Sequence, residues 1–179
     1  MREIRRLEYD LPAEEVQRKY KIENVVLAAP DMDLLEFING VYDRFYQVAK
    51  NVAVYASPKD RALVVSGKLY GNERLGHAVG KIEDWEKDVL GRVSQLQMID
   101  ATIAEDAFGS FLGHSYFHRD PWVSSDIGSY ILGRSPQERG LVRPAGEIFW
   151  QFPPNYPERL KQIIDSHPVE PIHHRGGEV

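Results

Sequence analysis

The 179-residue chain contains no cysteine, which excludes disulfide bonds, thiolate nucleophiles and cysteine-based metal sites. Acidic residues exceed basic ones only mildly, 27 against 22, and no basic stripe with interleaved aromatic residues occurs. Nucleic acid is therefore not an expected partner. No apolar run approaches the length of a membrane span. These absences predict a globular protein without a membrane span, and the missing cysteines fit a reducing compartment, so we expect it in the cytoplasm.

Two short apolar runs, each leading to a carboxylate, predict strands of an open α/β sheet. The run Val25–Asp31 shows no alternation, as is typical of a strand covered on both faces. A second run, Val52–Ala56, ends in the turn residues Ser57–Asp60. Asp60 is therefore expected just past the carboxyl end of a strand, where open parallel sheets carry their functional groups.

Helical spacing of apolar residues follows both strands, at 33–48 and at 61–70. This order of strand, helix, strand, helix predicts parallel pairing with right-handed crossovers. A third strand is predicted at 96–102, and its lower apolar content suggests a place near a sheet edge. The glycine-containing stretch 71–95 is expected to be an irregular surface segment, and Pro121 is expected to open a helix that ends near Leu132.

The composition changes beyond Gly133, where seven of the 11 prolines lie together with several aromatic residues. We expect an extended proline-rich tail at 134–179, too aromatic to be disordered, with one short helix at 157–165. The predicted organisation is thus an N-terminal helix and connector at 1–24, an α/β core at 25–133 and this tail.

Several short sequences across residues 25–132 carry a resemblance to a known family. The sequences V-V-L-A-A-P-D-M-D, V-Y-A-S-P-K-D-R-A-L, R-L-G with Gly76, M-I-D-A-T and G-H-S-Y-F resemble the carboxyl-terminal half of a bacterial α/β-hydrolase family of uncharacterised substrate. The resemblance implies a partial α/β-hydrolase fold, with three parallel strands and covering helices that correspond to the sixth, seventh and eighth strands of that sheet. It implies hydrolysis of an ester or similar acyl bond, with Asp60 as the triad acid, His114 as the general base and Asp31 as the alternative acid.

The sequence departs from this family in its nucleophile. The serine should lie in a G-x-S-x-G motif upstream of both Asp60 and His114, and no such motif occurs. The stretch Gly113–Phe117 begins like one, but Phe117 stands where the second glycine is required. The H-G-type strand that supplies oxyanion amides is missing as well. The resemblance thus implies a chain that starts halfway through the fold, and we expect the isolated chain to be inactive.

The missing half has a consequence for Val25–Asp31, because no fifth strand is available to pair with it. An open edge of this kind favours pairing with another chain, either a second copy or a different polypeptide. Three hypotheses follow: a hydrolase of small acyl substrates completed by another chain, a non-enzymatic scaffold that assembles through this edge and the aromatic tail, or a self-contained hydrolase that uses Ser115.

Each candidate residue also has a purely structural interpretation. Asp60 can be a turn carboxylate or a helix N-cap, His114 can be a loop histidine bonded to backbone, and Asp31 is more typical of a cap than of an acid. His118 lies four residues after His114 and could bind metal with it and Asp120. Gly113 and the missing helix signal argue against that geometry, so neither a metal nor a cofactor is expected.

Overall fold

The computed structural model describes residues 11–103 and 116–166. Helices and strands alternate along this part of the chain. Its helical elements are α1 (Ala13–Tyr20), α2 (Leu34–Glu36), a π-helical segment (Phe37–Val41), α3 (Tyr42–Val48), α4 (Arg61–Tyr70), a 3-10 turn (Leu75–His77), α5 (Asp84–Gly91), α6 (Tyr116–Arg119), α7 (Pro121–Ile131) and α8 (Tyr156–Ser166). Its strands are β1 (Ile22–Ala28), β2 (Ala49–Ala56), β3 (Leu96–Asp100) and β4 (Phe149–Gln151).

The four strands form one sheet in the order β1-β2-β3-β4, and every neighbouring pair is parallel. Helical segments connect the strands, as parallel pairing requires, because consecutive parallel strands need a crossover. The predicted α/β class with a parallel sheet and covering helices is therefore confirmed. The sheet has one strand more than the sequence predicted.

Strand β2 lies inside the sheet and carries the core on both faces. Its last five residues, Val52–Ala56, are fully buried. Ala53 and Tyr55 point into one apolar cluster, and Val52 and Val54 point into the other, because side chains alternate between the faces of a strand. The unbroken apolar sequence of this strand thus reflects cover from both sides.

Strand β1 is the outer strand on one side of the sheet that the structure describes. All but one of its residues are partly exposed, and Glu23 is exposed, in contrast to the buried end of β2. The strand begins and ends three residues earlier than the predicted Val25–Asp31. Ala29 ends it, because its φ of 47° lies in the left-handed region and turns the chain away from the sheet.

Strand β3 was expected near a sheet edge, and this expectation is wrong. It lies between β2 and β4. The neighbour β4 comes from the stretch predicted as an extended tail, where Gln151 also forms an antiparallel bridge with Val142. The same stretch buries Phe152 and Tyr156 in the core and contains α8, which confirms the short helix predicted at 157–165.

The helices predicted after the first two strands and at Pro121 are confirmed, with one interruption. The helix expected over 33–48 is divided by a π-helical segment in which Gly40 departs from helical geometry. The stretch 71–95, predicted as irregular, contains a 3-10 turn and the helix α5. The capping box of Glu83 and Glu86 starts that helix.

Candidate functional site

The candidate site lies at the carboxyl edge of the sheet, where β2 and β3 end side by side. Ala56 is paired with Asp100 at the last position of both strands, and the amide of Ala101 donates to the carbonyl of Ala56 at 2.8 Å. Because the two strands are parallel, the segments that follow them leave the sheet at the same edge. One of these segments carries Asp60 and the other leads to His114.

Asp60 is fully buried and caps helix α4. Its Oδ1 accepts hydrogen bonds from the amides of Ala62 at 3.1 Å and Leu63 at 3.2 Å. The structural interpretation of this residue as an N-cap is thus confirmed. Both cap bonds end on Oδ1, and neither of them uses Oδ2.

The turn that carries Asp60 is held by hydrogen bonds within the turn and by one bond to a neighbouring segment. The amide of Asp60 donates to the carbonyl of Ser57 at 3.3 Å, and the amide of Lys59 donates to Ser57 Oγ at 3.2 Å. The amide of Ser57 in turn donates to the carbonyl of Gly76 at 2.8 Å. The direction of the Asp60 carboxylate is therefore fixed by the turn itself and by the segment around Gly76.

His114 and Ser115 lie outside the described residues, so the structure does not test the predicted base or the local serine. The described residues before and after the segment with His114 are held in place by the fold. Ala101 is fully buried at the end of β3. On the other side, Asp120 caps α7 through bonds from the amides of Trp122 at 2.8 Å and Val123 at 3.0 Å.

Asp31, the alternative acid, lies in a different environment. Half of its side chain is exposed, its Oδ1 accepts from Ser66 Oγ at 2.7 Å, and Arg74 Nε lies 3.2 Å from the same oxygen. Asp33 caps α2 through a 2.8 Å bond from the amide of Glu36. These two carboxylates are surface groups with partners of their own, whereas Asp60 is the buried one.

The metal site considered and set aside above would have used His114, His118 and Asp120, of which the structure describes the last two. His118 is exposed, whereas Asp120 is buried and uses Oδ1 in the cap of α7. Within residues 11–103 and 116–166, no group of three or more histidine, aspartate or glutamate side chains is arranged to hold a metal ion. Over the same ranges, no helix has the length and apolar character to cross a bilayer.

His77 belongs to this edge of the sheet and was missed by the sequence analysis. It is buried, its Nε2 lies 2.8 Å from the carbonyl oxygen of Pro58, and its Nδ1 lies 2.8 Å from Glu73 Oε1. Its only sequence signal was its place directly after Gly76 in a stretch that lacked regular periodicity. Asp100 was missed too, and its Oδ1 accepts from the amide of Thr102 at 2.9 Å.

A buried ionic network lies beneath the site, on the face of the sheet covered by α7. Asp126 Oδ2 accepts from Tyr55 Oη and from Arg139 Nη1, each at 2.6 Å, and Arg139 Nη2 also contacts Gln97 Oε1. Asp126 and Arg139 are both fully buried. Burial raises the pKa of Asp126 to about 6, although Arg139 and Tyr55 act in the opposite direction. The pKa of Tyr55 is raised mainly by burial and further by Asp126.

The comparisons with known proteins agree with this architecture. Residues 2–133 match the family described as alpha/beta hydrolase of unknown function (DUF900). No curated protein and no solved structure matches the chain. The matched range contains β1, β2 and β3, the Asp60 turn and α7, whereas Arg139 and β4 follow it. The chain belongs to this family of alpha/beta hydrolases, whose function is unknown.

Proposed function

We propose that the chain supplies the acid and the base of a serine hydrolase acting on an ester or a related acyl bond, with Asp60 as the acid and His114 as the base. The observation that carries this proposal is the burial of Asp60 at the carboxyl end of β2. The neighbouring strand β3 ends at the same edge and leads into the segment with His114.

In this mechanism His114 accepts the proton of a serine hydroxyl as the serine oxygen attacks the carbonyl carbon of the substrate. The imidazolium then returns that proton to the leaving group, and an acyl-enzyme is formed. Water, activated by His114 in the same way, releases the acid. Asp60 holds the imidazole in the required tautomer, and its carboxylate stabilises the imidazolium.

The serine comes from a polypeptide segment outside this sequence, because the 179 residues contain no G-x-S-x-G motif. The segment that carries this serine can pair with the outer edge of strand β1. The amide of Ala29 donates to the carbonyl of Tyr55 in β2, and the direction of the amides alternates along a strand. The amide of Leu27 therefore faces β2, and the amide of Val26 faces the outer edge, where another strand can accept from it.

A fluorophosphonate probe, which labels activated serines, tests the proposal on the protein isolated from its native cells with whatever chains accompany it. We expect label on a co-purifying polypeptide, loss of label in His114→Ala and a strong reduction in Asp60→Asn. Asp33→Asn is the matched control, because Asp33 is also an N-cap but lies at the surface; its labelling should be normal. Absence of label, or label that survives in His114→Ala, contradicts the proposal.

Ser115 is the local candidate for the nucleophile, and the same probe decides its role. We expect Ser115→Ala to leave the labelling unchanged, because the nucleophile lies on the accompanying chain. Label found on this chain and lost in Ser115→Ala would establish the self-contained hydrolase instead.

A second candidate function, a non-enzymatic scaffold, is favoured by the partly exposed outer strand β1. On this alternative the chain assembles with a second copy or another protein, and catalysis plays no part. Native mass spectrometry of Val26→Pro tests the assembly, since proline removes the outward amide and spares the bonds to β2. We expect the assembled mass to be lost in Val26→Pro and retained in His114→Ala. Leu27→Pro is the control that breaks the sheet itself.

A further inference from the structure

The 3-10 turn Leu75–His77 connects the ends of two strands. The amide of Gly76 donates to the carbonyl of Pro30 at 3.0 Å, beyond β1, and its carbonyl accepts from the amide of Ser57 at 2.8 Å, beyond β2. The backbone of one residue thus bridges the turn after β1 and the turn that carries Asp60. Any displacement of this bridge is transmitted to both strand ends.

Gly76 is required at this point because the backbones approach too closely for a side chain. A Cβ on this residue would lie 2.6 Å from Leu63 Cδ1 and 2.8 Å from both the carbonyl carbon of Ala29 and the nitrogen of Pro30. Two of these atoms belong to backbone and cannot move independently. The close approach of Gly76 brings the next residue, His77, against the Asp60 turn.

The side chain of His77 makes the second connection to that turn. Its Nε2 lies 2.8 Å from the carbonyl oxygen of Pro58, and a carbonyl oxygen only accepts, so Nε2 carries a hydrogen and donates it. The ring is held from its other side by Glu73 Oε1 at Nδ1, with the ammonium of Lys81 beside both. With both nitrogens engaged and only 7% of the residue exposed, His77 has a fixed orientation.

We propose that His77 is a positioning residue, whose bond to the carbonyl of Pro58 fixes the turn that directs the Asp60 carboxylate. Pro58 lies two residues before Asp60. Loss of the bond leaves this carbonyl without its imidazole donor and allows the turn to rotate away from the cap geometry. Asp60 then loses the alignment of Oδ1 with the amides of Ala62 and Leu63, and the direction of its carboxylate changes. The relevance of His77 to catalysis rests on the proposed function; its effect on the cap does not.

Amide hydrogen exchange, measured by NMR on the full chain, tests this directly. His77→Leu removes the donor at similar volume, whereas His77→Gln keeps an N–H donor close to the position of Nε2. We expect the amides of Ala62 and Leu63 to exchange about five-fold faster in His77→Leu, the factor that corresponds to loss of an N-cap. In His77→Gln the rates should return towards those of the wild type.

Helix α7 provides an internal control, because Asp120 caps it through the same two bonds and takes no part in the contacts of His77 with Pro58 and Glu73. Exchange at Trp122 and Val123 should be unchanged in both variants. Unchanged exchange at Leu63 in His77→Leu, or equal acceleration in His77→Leu and His77→Gln, overturns the proposal.

If His77→Leu does not fold, Glu73→Gln replaces it, since it keeps the imidazole but removes the carboxylate at Nδ1. A smaller acceleration at Leu63 is then expected, and no acceleration overturns the proposal.

The titration of His114 separates this proposal from the proposed function. If Asp60 pairs with His114, the pKa of His114 falls in Asp60→Asn and falls part of the way in His77→Leu. A pKa of His114 that is insensitive to Asp60→Asn contradicts the triad and leaves the role of His77 to be decided by the exchange rates. A pKa that falls in Asp60→Asn but not in His77→Leu contradicts the positioning role.

Discussion

The buried ion pair of Asp126 and Arg139 should make a large difference to the unfolding free energy when one of its partners is removed. Arg139 donates to Asp126 at 2.6 Å, contacts Gln97, and its guanidinium lies 5.3 Å from the ring centre of Tyr130. Both charged residues are fully buried, so water cannot replace a lost partner. Arg139→Met keeps an unbranched apolar side chain, although a shorter one, and removes the guanidinium with its charge. Asp126 then keeps Tyr55 as a donor but loses its counter-ion.

Breaking a buried ion pair by removing one partner costs about 3–5 kcal/mol of unfolding free energy, because the remaining charge is uncompensated. This is a large share of the ~5–15 kcal/mol that a typical domain has. The cost should depend on pH, since protonation of Asp126 removes the uncompensated charge. The loss in Arg139→Met should therefore be smaller at pH 5 than at pH 7.5.

Urea unfolding followed by tryptophan fluorescence measures these differences. The double variant Asp126→Leu with Arg139→Met removes both charges and should come within about 1 kcal/mol of the wild type, as replaced buried pairs often do. Arg92→Met is the surface control, because Arg92 and Asp88 are mostly exposed at 76% and 61% of their side chains; it should cost less than about 0.5 kcal/mol. A loss below about 1 kcal/mol in Arg139→Met, or a double variant as unstable as the single one, would refute the reasoning.

Three further predictions concern stability. The pKa of Asp126 is raised to about 6 in the folded state, above its ordinary value near 4. The contribution of this carboxyl group to the unfolding free energy is therefore fully present below about pH 4 and is lost as the pH rises through about 6. The unfolding free energy of the wild type minus that of Asp126→Asn should thus fall by roughly 2–3 kcal/mol between pH 4 and pH 7.5, and a flat difference contradicts the raised pKa. Gly76→Ala should cost ~1–3 kcal/mol in urea unfolding, because its Cβ would overlap Leu63 and two backbone atoms, and a neutral effect contradicts the close approach. Gly128→Ala, in the interior of α7 with no atom within 4 Å of the new Cβ, should instead stabilise by about 0.5–1 kcal/mol, and destabilisation contradicts that open space.

The position of Asp60 was predictable because its signals are local. An apolar run without helical period, followed by Ser57 and Pro58, predicts a buried strand that ends in a turn, and the structure has both. The N-cap role of Asp60 was predictable for the same reason, since capping depends on a residue and the next three. The outer place of β1 in the part of the sheet that the structure describes agrees with the expectation drawn from the resemblance to a family whose sheet continues further.

The elements that were missed depend on partners far away in sequence. In the sequence alone, Arg139 has the features of a surface charge. Its burial is explained by its contacts with Asp126, Tyr55 and Gln97, which lie on three other elements. Strand β4 has three residues, too few for a periodic signal, and exists because β3 offers an edge to pair with. His77 is buried by a turn whose position is set by close approach of Gly76 to another strand end.

The most direct test of the central claim is the pKa of the His114 imidazole, measured by NMR titration in the wild type and in Asp60→Asn. An adjacent carboxylate favours the charged imidazolium, so a His114 paired with Asp60 should titrate at least about one pH unit higher in the wild type than in the variant. Asp33→Asn should leave the titration unchanged. The same pKa in wild type and Asp60→Asn would show that Asp60 serves helix α4 alone and that the two residues do not form a catalytic pair.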